Sequence, residues 1–161
     1  MRRKDKEVTD IDKINEIIDS CDCCRLGFYD RGSVYIVPLN FGHLYEDDRH
    51  VFYFHGAKQG RKIELIKEAP SVGFELDTNC RILENELACK FSASYQSIIG
   101  TGRVSFVQEM QEKKQALVSI MQHNSQKKEW EFSDAMAASV CVYKLEVEEL
   151  CCKQSPAVED R

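Results

Sequence analysis

The sequence predicts a mainly β protein: an antiparallel barrel, closed or partly open, of six strands with three helices among them. Three observations support this. Short apolar runs alternate with tight polar turns along most of the chain. The strands do not alternate regularly with helices, which argues against a doubly wound sheet. The 161 residues, 43% hydrophobic and 30% charged, suffice for one domain with a core and argue against wholesale disorder.

Taken in order, Thr9 or Asp10 can cap a first helix, whose apolar residues Ile11, Ile14, Ile17 and Ile18 recur at helical spacing to about Ser20. A strand is expected from Cys23 to Tyr29, then a hairpin turn at Asp30-Arg31-Gly32. The next strand runs from Val34 to Phe41 and carries Pro38 in its middle. Proline cannot donate to a ladder, so this strand is an edge, is bulged, or faces a ligand there. Tyr45 to Arg49 forms an acidic turn. Val51 to Phe54 is a nearly continuous apolar strand, expected to be buried on both faces or to form a barrel wall.

The segment His55-Gly56-Ala57-Lys58-Gln59-Gly60-Arg61-Lys62 follows and opens a second helix that runs to about Lys67, before Pro70. Small residues permit close backbone approach, and unpaired N–H groups beside Lys58, Arg61 and Lys62 suit a phosphate. A solvated basic first turn fits the same residues. Val72 to Leu76 reads as a strand, Cys80 to Lys90 as an irregular connection with some strand, and Phe91 to Val107 as one long strand broken or bulged at its glycines. Glu109 to His123 is an amphipathic helix, Lys127 to Glu131 a charged loop around Trp130, and Ser133 the cap of a short turn. Ser139 to Leu150 alternates clearly as the closing strand. Residues 1–152 therefore form one domain, and 153–161 a polar tail.

Composition excludes several function classes. A net charge of −5 is the wrong sign for a nucleic-acid binder. No apolar run reaches the ~18 residues of a membrane helix, and no secretory core follows the first residues, so a cytoplasmic protein is expected. Neither GxGxxG after a strand nor a P-loop motif is present. Of the eight cysteines, Cys21 and Cys24 have CxxC spacing, with Cys23 between them. Cys80, Cys89, Cys151 and Cys152 do not complete a zinc pattern, so reduced structural thiols are favoured over a metal site.

Five stretches taken in order, MRRKDKE, VPLNFG, FHGAKQGRK, Val72-Gly73-Phe74-Glu75 and SYQSIIGTGRV, make the chain resemble a known family. It is similar to the FMN-binding split-barrel proteins related to pyridoxamine 5′-phosphate oxidase, in their 5-nitroimidazole-resistance (Nim-type) branch, from Met1 to about Leu150. The resemblance implies an antiparallel split barrel that forms a homodimer, with two FMN sites across the interface. It implies that Val37, Pro38, Leu39 and Asn40 line the isoalloxazine edge with main-chain groups. His55, Gly56 and Ala57 would lie by the ring and ribityl chain, and Arg61 and Lys62 on the phosphate. Tyr95, Gln96, Ser97 and Ile98 would come from the other subunit.

The resemblance also implies an oxidoreductase that reduces a small acceptor such as a nitroaromatic with electrons from NAD(P)H. His55 would be the catalytic group, supplying a proton. Its alternative role is to hydrogen-bond or pack beside the cofactor. The rival functions are a non-catalytic flavin- or haem-binding module and a pyridoxamine 5′-phosphate oxidase. The last lacks support in the C-terminal region, where the arginine-rich substrate site of such oxidases is replaced by Cys151-Cys152 and a polar tail.

Overall fold

The computed structural model describes residues 3–127 and 129–155. Met1 and Arg2 of the opening motif, and residues 156–161 of the expected tail, lie outside the described residues. One sheet of eight antiparallel strands organises the chain: β1 (Glu7–Val8), β2 (Cys24–Asp30), β3 (Ser33–Leu39), β4 (Gly42–Glu46), β5 (Arg49–Gly56), β6 (Ser71–Leu83), β7 (Ser92–Phe106) and β8 (Cys141–Gln154). Four α-helices among the described residues flank it: α1 (Ile11–Asp19), α2 (Arg61–Glu68), α3 (Met110–His123) and α4 (Asp134–Ser139).

The hydrogen-bonded order is β3-β2-β6-β7-β8-β5-β4, with β1 pairing on β8. The two ends of this path, β3 and β4, are consecutive in sequence yet are not paired with each other, so the pairing leaves an opening between them.

The expected count of six strands is corrected to eight. The single strand expected from Val34 to Phe41 ends at Leu39, and a separate strand begins at Gly42. The acidic turn therefore tightens to Asp47 and Asp48, both at positive φ. The other addition, β1, is two residues long and pairs Val8 with Cys152. β6 continues past Leu76 to Leu83, leaving only its far side irregular, and β8 continues to Gln154 through the Cys151-Cys152 pair. Other features follow the chemistry of their residues. Asp10 caps α1 by accepting from the Lys13 N–H at 2.8 Å. Arg31 and Gly32, both at positive φ, form the two-residue turn between β2 and β3. The register of β7 against β8 shifts between Thr101 and Gly102, one of the expected glycine bulges.

The core lies on two sides of the sheet. Leu26, Phe28, Phe52, Phe54, Phe74, Leu76, Ile98, Tyr143 and Leu145 fill the interior with Ile14, Ile17 and Ile18 of α1. On the outer face of β5 and β8, Tyr53 and Val142 pack under Ala116, Leu117 and Ile120 of α3. β5 is thus covered on both faces, which accounts for its unbroken apolar run. Cys21 and Cys24 belong to the interior. Burial pushes the Cys21 thiol up to about 12 and the Cys24 thiol up as well, so both are inert packing groups at neutral pH. Among the described residues no cluster of three or more His, Cys, Asp or Glu is arranged to hold a metal, and no helix is long and apolar enough to cross a membrane.

Candidate functional site

β5 delivers His55 and Gly56 to the start of α2 across the short link 57–60. Gly60 begins the helix at φ +124°, a conformation that side chains rarely adopt, and it brings no side-chain cap. Its carbonyl accepts from Ile63 and Glu64, at 2.9 and 3.2 Å. The first turn therefore presents main-chain donors beside a basic pair, the ordinary chemistry of an anion site.

The two cations of that pair have different surroundings. The Lys62 side chain is half-buried, its Nζ is 5.1 Å from the centre of the Tyr143 ring, and it lies 3.3 Å from where a Cβ on Gly56 would sit. Among the described residues Lys62 is in no ion pair. Burial draws its pKa down, the expected result for an ammonium in partly dry surroundings with no counter-charge. Arg61 is already committed. Its Nε donates to Asp30 Oδ2 at 2.7 Å, a second N–H donates to the same oxygen, and its guanidinium lies 4.7 Å over the Tyr35 ring.

His55 is exposed, on the outer side of β5 opposite Val142. Partial desolvation, and then the neighbouring Lys62, lower its pKa below the usual histidine value, so the imidazole is neutral at neutral pH. Ala57 is exposed beside it. β3 pairs only with β2, so it is an edge strand, and Pro38 sits on its exposed side opposite Arg25. That is the placement proline requires. Val37 and Leu39 turn half-buried side chains onto the interior, while Asn40 donates to Asn124 Oδ1 at 2.9 Å, at the C-terminal cap of α3.

The remaining predicted residues are elsewhere. Gln96 is opposite Gln154 on β8, whereas Gly56 is opposite Cys141 on the same strand. Thirteen residues of β8 separate those positions, a span of about 40 Å at ~3.3 Å per residue. One protomer therefore does not bring Tyr95–Ile98 to His55 and Lys62. Gln96 bridges Asn79 and Gln154, Ser97 is half-buried opposite Lys153, and the Tyr95 ring has Lys6 Nζ 5.3 Å from its centre. The Ile98 side chain is fully buried in its own core, which leaves only its main chain to offer a partner.

Four residues near the α2 start escape sequence reading: Asp30, Tyr35, Cys141 and Tyr143. Asp30 reads locally as a turn residue, and its pairing with Arg61 spans thirty-one positions. Tyr143 and Cys141 read as alternating strand residues, although the Tyr143 hydroxyl is buried without a hydrogen-bond partner among the described residues. A half-buried ammonium without an ion pair, lying against Gly56 where no side chain intervenes, and a helix start without a side-chain cap fit an anionic cofactor end.

The family model for pyridoxamine 5′-phosphate oxidase matches residues 10–154. No curated protein matches the chain significantly. Among solved structures, a candidate 5-nitroimidazole antibiotic resistance protein from Bacteroides thetaiotaomicron shares 31% identity over 91% of this chain and 85% of that one, with a TM-score of 0.77. The fold recurs at lower identity in the FAD and heme binding protein from Mycobacterium smegmatis (TM-score 0.80, 13% identity, 97% of this chain and 76% of that one). It recurs also in the flavocytochrome Anf3 from Azotobacter vinelandii (TM-score 0.77, 18% identity, 99% and 75%). With nearly its whole length matched, and with the edge strand, β5–α2 junction and long β7 in place, this chain belongs to the pyridoxamine 5′-phosphate oxidase family of flavin-binding split-barrel proteins, with the Bacteroides protein among its relatives.

Proposed function

We propose that the protein is a homodimeric FMN-dependent oxidoreductase that passes electrons from NAD(P)H to a small acceptor of the nitroaromatic type. The observation that carries this reading is Lys62: a half-buried ammonium without a carboxylate, over the bare Cα of Gly56 at the first turn of α2. Family membership supports reading that anion as the phosphate of a flavin, and FMN is the flavin that the resemblance implies. The free edge of β3, from Val37 to Asn40, would meet the ring with main-chain groups. His55, Gly56 and Ala57 would border the ring and ribityl chain. Tyr95, Gln96, Ser97 and Ile98 would come from a second copy, because their own protomer holds them at the far end of β8.

The bound flavin supplies two-electron chemistry, accepting and passing on a hydride equivalent. The chain's own part is to orient it and to manage protons. His55, neutral at rest and exposed, can take a proton from water on its free ring nitrogen and pass a ring proton to a reduced acceptor, returning to the neutral form. The test is anaerobic NAD(P)H oxidation by the FMN-loaded protein with a nitroimidazole as acceptor. Turnover is expected, with His55→Ala retaining flavin and losing roughly 10²-fold in rate. A flavin-bound protein that neither oxidises NAD(P)H nor reduces the acceptor is a carrier or store and contradicts the enzyme reading.

A further inference from the structure

We infer that, of the adjacent pair, Lys62 reads the phosphate and Arg61 is a clasp, held by Asp30, fastening α2 to the β2–β3 hairpin. This division of labour rests on the flavin reading above and assigns different work to two adjacent cations that sequence reading treats as a pair. Both N–H contacts from Arg61 fall on one oxygen of Asp30, whose side chain is only 13% exposed. A swing of Arg61 to a cofactor would leave that mostly covered carboxylate without its two charge-assisted hydrogen bonds. The guanidinium would also lose its place over Tyr35.

The surroundings of Arg61 point the same way. The cleft beside it, about 570 Å³, is lined by Asp30, Glu64 and Glu68 against Arg31 and Arg61. Three carboxylates around two guanidinium groups repel a phosphate dianion. One residue later the helix has turned by about 100°, and Lys62 meets Gly56 and the Tyr143 ring, with no carboxylate in reach among the described residues. Only Lys62 is both desolvated and electrostatically unsatisfied, the state in which one added anion gains most.

Riboflavin, which has the same ring and ribityl chain without the phosphate, isolates the contact. Dissociation constants for FMN and riboflavin are measured on the apo-protein by flavin fluorescence, and their ratio reports the phosphate. In the wild type FMN should bind more tightly. Lys62→Ala should cut the ratio at least about tenfold, the loss of one charge-assisted contact, with riboflavin affinity unchanged. Arg61→Ala should leave the ratio within about twofold while lowering the thermal midpoint. Arg61→Gln, which keeps a donor for Asp30, reads the same ratio should Arg61→Ala fail to fold. A merely structural role for Lys62 would weaken both flavins together and leave the ratio intact, which overturns the inference. So does a collapse of the ratio in either Arg61 variant. A wild type that binds riboflavin and FMN equally refutes the phosphate contact alone, whereas one that binds neither refutes the flavin reading itself.

Discussion

Lys62 and His55 are electrostatically linked, because the ammonium is one of the two causes that lower the imidazole's pKa. Removing the cation in Lys62→Ala should raise the His55 pKa toward the ordinary value of about 6.5, and a phosphate neutralising Lys62 should do the same. An NMR titration of His55 should therefore shift upward in the variant and on FMN addition; identical curves would break the link. A pair of histidines elsewhere responds to acid. His43 Nε2 lies 3.0 Å from His50 Nδ1; burial, and then His50, push His43 down to about 3, and burial lowers His50. Both are neutral when folded, whereas the unfolded chain protonates them near pH 6.5. Their contribution is fully present above that value and is lost progressively as pH falls below it, down to about 3. His43→Gln removes the titration, so the stability gap between wild type and variant should narrow from about pH 7 to about pH 5 in urea unfolding. A constant gap would show that His43 does not titrate on unfolding.

Among the elements, close approach depends on glycines in a long strand, β7, and a short one, β4. A Cβ on Gly100 would lie 2.2 Å from the Glu149 carbonyl and 2.5 Å from the Phe74 ring, and β7 is held between β6 and β8 so neither neighbour can yield freely. Gly100→Ala should cost about 1–3 kcal/mol, read as a lower urea midpoint; an unchanged midpoint would mean that β7 can shift. Gly42 admits α3 in the same way, with Ser119 and the Ile120 N–H 2.5 Å from its Cβ position. These elements were unequally legible in the sequence. β5 could be read because both of its faces are covered, and α1 because one face is apolar at helical spacing. β4 could not, since GHLYE alternates in neither sense, and the outer half of β6 is exposed, so nothing imposed an apolar rhythm there. The start of α2 was legible as a glycine-led, basic helix start from its small and basic residues. The split between Arg61 and Lys62 was not, because it depends on Asp30 at the other end of a hairpin pairing.

At the scale of the whole molecule, the proposed dimer would use two separate regions of each protomer, held apart by the span of β8. One end presents Lys62, Gly56, His55 and the free edge of β3. The other presents Tyr95 to Ser97 on β7, with exposed Ile99 beyond them. Exposed Tyr29, Val34 and Ile36 on β2 and β3 add an apolar surface for a second copy to cover. A dimer that joins unlike ends in both directions makes two equivalent sites. Native mass spectrometry of the apo-protein before and after FMN addition reads assembly and cofactor together. The expected species is a dimer that gains two FMN; a monomer that binds FMN, or a dimer that binds none, would contradict the account.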